Sequence, residues 1–240
     1  MIYLMGCSYV DETYNSEDYA WPKRIADKYI KVKNLAKHGT GPQYSLSLLR
    51  ELIKKNAVNS KKDSLIFFIP EYFRMNFRYF KPNEQVWSYA NNTAREYFNK
   101  TFLDYFDKKH FDWQTQWWYE YQMYQDNDLL DIFKIYTLIN YYAKYFKKVL
   151  IMTTDGYLNN HLDKHDDPEK MLDSPNITFC KDITVDRISN EEIGTFYEHM
   201  KDTRPNHISE YNHDIMFRML CNWIEYDIKP TYKFKTRPPS

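Results

Sequence analysis

Glycine is scarce, with five in 240 residues against an average usage of roughly 7%. That excludes a collagen-like or glycine-rich low-complexity chain, and it makes a glycine that is present less apt to be filler. Two of the five, Gly39 and Gly41, sit close together. Cysteine is also scarce. Cys7, Cys180 and Cys221 cannot form a fully paired framework, which excludes a disulfide-dense secreted scaffold and favours a reducing, cytoplasmic setting. Charge of one sign is missing: 33 basic residues balance 33 acidic ones, so no general polyanion-binding surface is implied. No apolar run approaches the roughly 18 residues of a membrane-spanning helix, and mean hydropathy is −0.76. Leu4-Met5-Gly6-Cys7 has the look of a lipoprotein box, but only six residues precede Cys7 and none is basic, too little for a signal peptide. The chain has no glycine-rich phosphate loop, no Cys-x-x-Cys pair, no dinucleotide fingerprint and no internal repeat, so no cofactor is expected.

What is present is an abundance of aromatic residues. Aromatics make up 18% of the chain, with 23 Tyr, and hydrophobic residues 43%, which excludes a disordered chain. The excess of Tyr, Lys, Asn and Ile also fits AT-rich codons. A chain of this length buries about 70% or more of the surface its unfolded form exposes. Residues 1–240 therefore read as one domain with a sizeable core.

Ile2-Tyr3-Leu4-Met5 reads as a buried first strand ended by Gly6. Trp21 to Ile30 reads as a helix with Pro22 in its first turn and Ile25, Ala26 and Tyr29 on one side. Lys31 to Leu35 is a second strand. A helix follows Pro42, with Leu46, Leu49, Leu52 and Ile53 at helical spacing. Ser64 to Ile69 is a buried strand, 129 to 147 an amphipathic helix, Lys148 to Thr153 a strand and Ile177 to Cys180 a fifth strand. Ser209 caps a last helix that buries Ile215, Met216, Met219, Leu220 and Trp223. Residues 71 to 128 are rich in Trp, Tyr and Phe and read as irregular helices, an insertion or lid spanning about 76–128. The tail, 229–240, is basic and proline-rich. Strands alternating with helices predict a three-layer α/β/α sandwich around a mostly parallel, flavodoxin-like sheet.

In open α/β sheets, ligands sit beyond the carboxyl ends of the strands. Ser8 occupies that place after the first strand. A serine nucleophile needs a base, usually histidine, and donors for the developing oxyanion. Gly6-Cys7-Ser8-Tyr9 resembles the Gly-Asp-Ser block of the SGNH (GDSL-type) hydrolases. Asn34-Leu35-Ala36-Lys37-His38-Gly39 is similar to that family's Asn-x-Ala-x-x-Gly block. His207-Ile208-Ser209-Glu210-Tyr211-Asn212-His213 resembles its His-Pro-Ser-x-x-Gly-His run. The blocks fall in the family's order across nearly the whole chain outside the aromatic insertion. Small hydrolase-like proteins of this kind occur in bacteria and their phages.

The resemblance implies acyl transfer on a small ester, such as an O-acetyl group on a carbohydrate. Ser8 would be the nucleophile, His207 the base and Asp202 the orienting acid. The Ser8 and Gly39 N–H groups would be oxyanion donors. The chain also departs from the pattern. The family's third block, Gly-x-Asn-Asp, has no counterpart in Pro70-Glu71-Tyr72-Phe73-Arg74, leaving Arg74 and Asn76 as candidates for the third donor. The acid's place, three residues before His207, holds Arg204. An alternative register sets Arg204-Pro205-Asn206 on the His-Pro-Asn motif; it keeps Asp202 and loses the histidine. A catalytically silent member of the fold, serving as a binding or structural module, is the competing expectation.

Other readings of these residues stay open. Ser8 can cap a turn, Cys7 can be the nucleophile or simply pack, His207 can hydrogen-bond near the helix start, and His213 reads as structural. Gly39 and Gly41 can serve only a turn. His161 and His165 with Asp163, Asp166 and Asp167, and a looser set of His199, Asp202, His207 and His213, suggest a metal-dependent hydrolase. Neither matches a sharp ligand motif, so no metal is expected. Trp113, Trp117, Trp118, Tyr119 and Tyr121 read as lid or core packing or as a sugar-stacking platform. Asp112, Glu120 and Asp126 dilute the charge that nucleic acid would require. The expected partner is a small or carbohydrate ester, not nucleic acid or membrane.

Overall fold

The structure, a computed structural model, describes residues 1–13, 15–38, 40–70, 77–81, 84–88, 127–153, 171–184 and 210–231. Five strands, β1 (Ile2–Met5), β2 (Val32–Asn34), β3 (Ser64–Ile69), β6 (Lys148–Thr153) and β7 (Ile177–Thr184), form one sheet in the order β2-β1-β3-β6-β7. Every neighbouring pair is parallel; Ile2 lies opposite both Val32 and Ser64, and Ser64 opposite Lys148. The bounds of β1, β3 and β6 coincide with the apolar runs in the sequence, whereas β7 continues four residues past Cys180. The register between β6 and β7 shifts after Ile151.

All six residues of β3 are buried, as expected of a central parallel strand covered on both faces. Its side chains alternate. Leu65, Phe67 and Ile69 join a cluster with Leu46, Leu49 and Leu52 of α2 (Pro42–Lys54) and Ile135, Tyr136 and Ile139 of α3 (Asn127–Ala143). Ile66 and Phe68 join a second cluster with Trp21 and Ile25 of α1 (Trp21–Lys28) and Met216, Leu220 and Trp223 of α4 (Glu210–Tyr226). The period of two along the strand and of 3.6 along the helices thus meet in two cores. Trp21 stacks on Phe68 with ring centroids 5.1 Å apart. Burying each such aromatic contributes roughly 1.5–3 kcal/mol.

The helices differ from expectation in detail. α1 ends at Lys28, and it buries Trp21, Pro22 and Ile25, while Ala26 and Tyr29 are only half-buried. The Tyr29 hydroxyl instead donates to Glu225 on α4 at 2.7 Å. α3 ends at Ala143, because Tyr145 and Phe146 turn back onto Tyr142 and Ala143 so that the chain can enter β6. At the far end of α4, Lys148 Nζ donates to the Trp223 and Ile224 carbonyls at 2.8 and 2.9 Å and pairs with Asp227. A cation at the last carbonyls complements the helix dipole. Since Lys148 opens β6, α4 runs antiparallel to the strands and begins toward their carboxyl ends.

The reading of residues 71–128 as irregular helices is corrected at 77–88. There β4 (Phe77–Lys81) and β5 (Glu84–Ser88) pair antiparallel, with Lys81 opposite Glu84. Aromatic and β-branched residues favour strands, and the two-residue gap between the runs suits a hairpin. The rest of the aromatic insertion, the loop around His161, Ser209 and the tail from 232 onward lie outside the described residues.

Candidate active site

The first candidate segment follows β1. Gly6 has φ +153°, and a Cβ there would meet Val10 Cγ2 at 2.7 Å and the Phe68 carbonyl oxygen at 3.0 Å. Only glycine allows β1 to leave the sheet so close to β3. The Cys7 carbonyl then accepts the N–H groups of Val10 and Asp11, both at 3.0 Å, closing a tight turn. Cys7, Tyr9 and Val10 are buried in this turn, while Ser8 is partly exposed. The fold therefore turns Ser8 outward and its neighbours inward. The Ser8 carbonyl accepts a hydrogen bond from Asn15 Nδ2. Neither the Ser8 hydroxyl nor its N–H has a hydrogen-bond partner among the described residues.

The second segment follows β2 and is tied to the first. Leu35 N–H donates to the Leu4 carbonyl at 2.9 Å and Lys37 N–H to the Gly6 carbonyl at 3.3 Å. Asn34, the asparagine of the second block, donates through Nδ2 to the Val10 carbonyl at 2.7 Å and accepts from Ala36 N–H at 3.0 Å. Its role here is to join the two loops. The Thr40 hydroxyl donates to the Lys37 carbonyl at 2.7 Å, and Gly41 leads into α2.

Between the loops lies Asp11, 4% exposed. Its Oδ1 accepts from Thr13 N–H at 2.9 Å and the Thr13 hydroxyl at 2.7 Å. Its Oδ2 accepts from His38 N–H at 2.8 Å and meets His38 Nδ1 at 3.1 Å. A carboxylate oxygen only accepts, so Nδ1 carries the proton in this pair. Burial by itself raises the Asp11 pKa, but the Thr13 and His38 hydrogen bonds together hold it below the ordinary carboxylate value. Tyr44, at the start of α2, is pushed up by burial and by the Asp11 charge.

Of the residues singled out in the sequence, Ser8 is placed at the carboxyl end of β1. Gly39, Arg74, Asn76, Asp202 and His207 lie outside the described residues. His213 is buried on α4, where its Nδ1 accepts the Trp21 N–H at 3.2 Å and its ring packs against Tyr19. It caps α1, which has no capping side chain at Ala20. Cys7, Cys180 and Cys221 are all buried and form no disulfide. The sequence reading missed Asp11 and the His38 side chain. A usable signal existed, since Asp11-x-Thr13 is a turn-forming spacing and both residues fall within or beside the blocks around Ser8 and Gly39. Among the described residues no three or more His, Cys, Asp or Glu are grouped to hold a metal, and no helix is long and apolar enough to cross a membrane. Comparison with protein-family models, curated proteins and solved structures finds no significant match.

Proposed function

We propose that the chain is a serine-dependent ester hydrolase of the esterase or O-acetylesterase type, acting on a small ester such as an acetylated carbohydrate. The observation that carries this reading is the turn at Ser8, a partly exposed residue just past the carboxyl end of β1 whose hydroxyl and N–H both lack partners among the described residues. Taking the parallel strands alone, the order is second, first, third, fourth, fifth. That is the order of a flavodoxin-like sheet, in which ligands bind beside the first strand where the winding reverses. With α2 and α3 in one cluster and α1 and α4 in the other, we read the whole as a three-layer α/β/α sandwich.

In this reading the Ser8 oxygen attacks the ester carbonyl and its proton passes to His207, which the resemblance makes the base, with Asp202 orienting it. His207 precedes α4 by three residues, and α4 begins toward the carboxyl ends of the strands. The carbon–alkoxide bond breaks as the alcohol leaves with that proton, and water then releases the acid from Ser8. The Ser8 and Gly39 N–H groups, with Arg74 or Asn76, stabilise the oxyanion. One lost oxyanion donor costs about 10²–10³ in rate. A second reading, a catalytically silent module, draws on the absence of a hydrogen-bonded base at Ser8 among the described residues and on Arg204 at the acid's place.

Labelling with a fluorophosphonate, in which a serine oxygen displaces fluoride from phosphorus, tests the choice. Labelling of the wild type, lost in Ser8→Ala and His207→Ala, is the expected result. A folded wild type that stays unlabelled favours the silent module. Esterase activity lost to a chelator would instead point to a metal-dependent hydrolase.

A further inference from the structure

Asp11 spans the two loops of the Ser8 site with every bond its carboxylate can direct. One oxygen takes the Thr13 donors of the loop after β1, and the other takes the His38 donors of the loop after β2. Asp11 N–H is bonded to the Cys7 carbonyl, and the Asp11 carbonyl accepts Asn15 N–H at 2.9 Å and Asn15 Nδ2 at 3.0 Å. Asn15 Nδ2 also holds the Ser8 carbonyl. The Ser8 carbonyl and the Lys37–His38 peptide are therefore both anchored, through Asn15 and directly, on one residue.

We propose that Asp11 is a positioning residue for the Ser8 site, its carboxylate fixing the Ser8 turn against the backbone that leads into Gly39. This rests on the reading of Ser8 as the nucleophile. The group must be an acceptor on both oxygens, because a backbone N–H points at each one. Asparagine has nearly the same shape but presents an NH₂ on one side. It can keep the Thr13 turn or the His38 tie, not both, and the loop facing its NH₂ moves away. A misplacement of about 1 Å at a reacting group costs on the order of 10²-fold in rate. A positioning role predicts that this shift slows the reaction of the serine oxygen and leaves probe binding unchanged.

The test is the kinetics of fluorophosphonate labelling in wild type, Ser8→Ala, Asp11→Asn and Asp63→Asn. Asp63 is also buried, but it immediately precedes β3 at the other end of the sheet, where it accepts Asn59 N–H at 2.8 Å. Asp11→Asn is expected to lower the maximal inactivation rate by about 10–100-fold with the half-saturating probe concentration unchanged. Asp63→Asn is expected to lose stability and keep the wild-type rate. A folded Asp11→Asn that labels at the wild-type rate overturns the proposal while leaving the Ser8 reading intact. So does an equal rate loss in Asp63→Asn, which would trace the effect to general destabilisation. A wild type that does not label, or a Ser8→Ala that does, removes the Ser8 reading and this one with it. If Asp11→Asn does not fold, Asp11→Glu carries the test. It keeps the acceptor-only head but displaces it by one methylene, so a slower rate supports positioning and the wild-type rate refutes it.

Discussion

Gly6→Ala probes the tightest point of the site's framework. The added methyl would sit 2.7 Å from Val10 Cγ2, 3.0 Å from the Phe68 carbonyl oxygen and 3.1 Å from Phe68 Cβ, on a residue at φ +153°. Two costs follow. Holding a residue with a Cβ in that backbone region costs about 1–3 kcal/mol. Overfilling a packed core costs about another 1–3 kcal/mol. Their sum, about 2–6 kcal/mol, is a large share of the roughly 5–15 kcal/mol that holds a typical domain folded. Urea unfolding, followed by the fluorescence of buried Trp21 and Trp223, measures it as a lower midpoint at unchanged slope. The two costs separate in a double-mutant cycle. Val10→Ala removes the closest clash but not the backbone strain, so Gly6→Ala should cost about 1 kcal/mol or more less in that background. A penalty below about 0.5 kcal/mol, the range of an ordinary surface change, refutes the steric argument. An equal penalty in both backgrounds refutes the part assigned to Val10.

Two further outcomes test the hydrogen bonds around the site. His213→Leu leaves the Trp21 N–H without the acceptor it has at 3.2 Å; the loss of an acceptor for a buried donor costs about 1–3 kcal/mol, read as a lower urea midpoint, while fluorophosphonate labelling of Ser8 persists. Asp11 links stability to acid. Its pKa in the folded chain lies below the ordinary 3.8, so the unfolded chain takes up the proton first. The stabilisation it gives is complete above that ordinary value and is lost as pH falls through the lower folded value. Urea midpoints measured from neutral pH down into that acid range should show the gap between wild type and Asp11→Asn closing, and a gap that stays constant refutes the linkage.

The apolar runs made β1, β3 and β6 legible to the residue, because a strand buried on both faces must be continuously apolar. Ile2–Met5, Ser64–Ile69 and Lys148–Thr153 need no partner to be recognised. The helices were legible through their 3.6-residue period, with ends that moved by a few residues where the chain had to turn. The hairpin at 77–88 was not, since its aromatic runs carry no clean alternation. At the site, the Gly6-Cys7-Ser8 turn was legible as a strand followed by a rare glycine. The pairing of Asp11 with His38, 27 residues apart, and of Trp21 with His213, 192 apart, was not.

The sequence by itself determined the five strands of the parallel sheet and the four helices, though not the strands at 77–81 and 84–88, and that Ser8 follows the first strand, because periodicity and the demand for glycine act over a few residues. Tertiary structure alone decided the order β2-β1-β3-β6-β7, which puts Ser8 beside the strand where the winding reverses. It also decided that Asn34 and Asp11 join two loops and that His213 accepts the Trp21 N–H at the start of α1. Those choices depend on which donors and acceptors come together once distant segments pack, and a buried N–H or carboxylate accepts whichever partner the fold delivers.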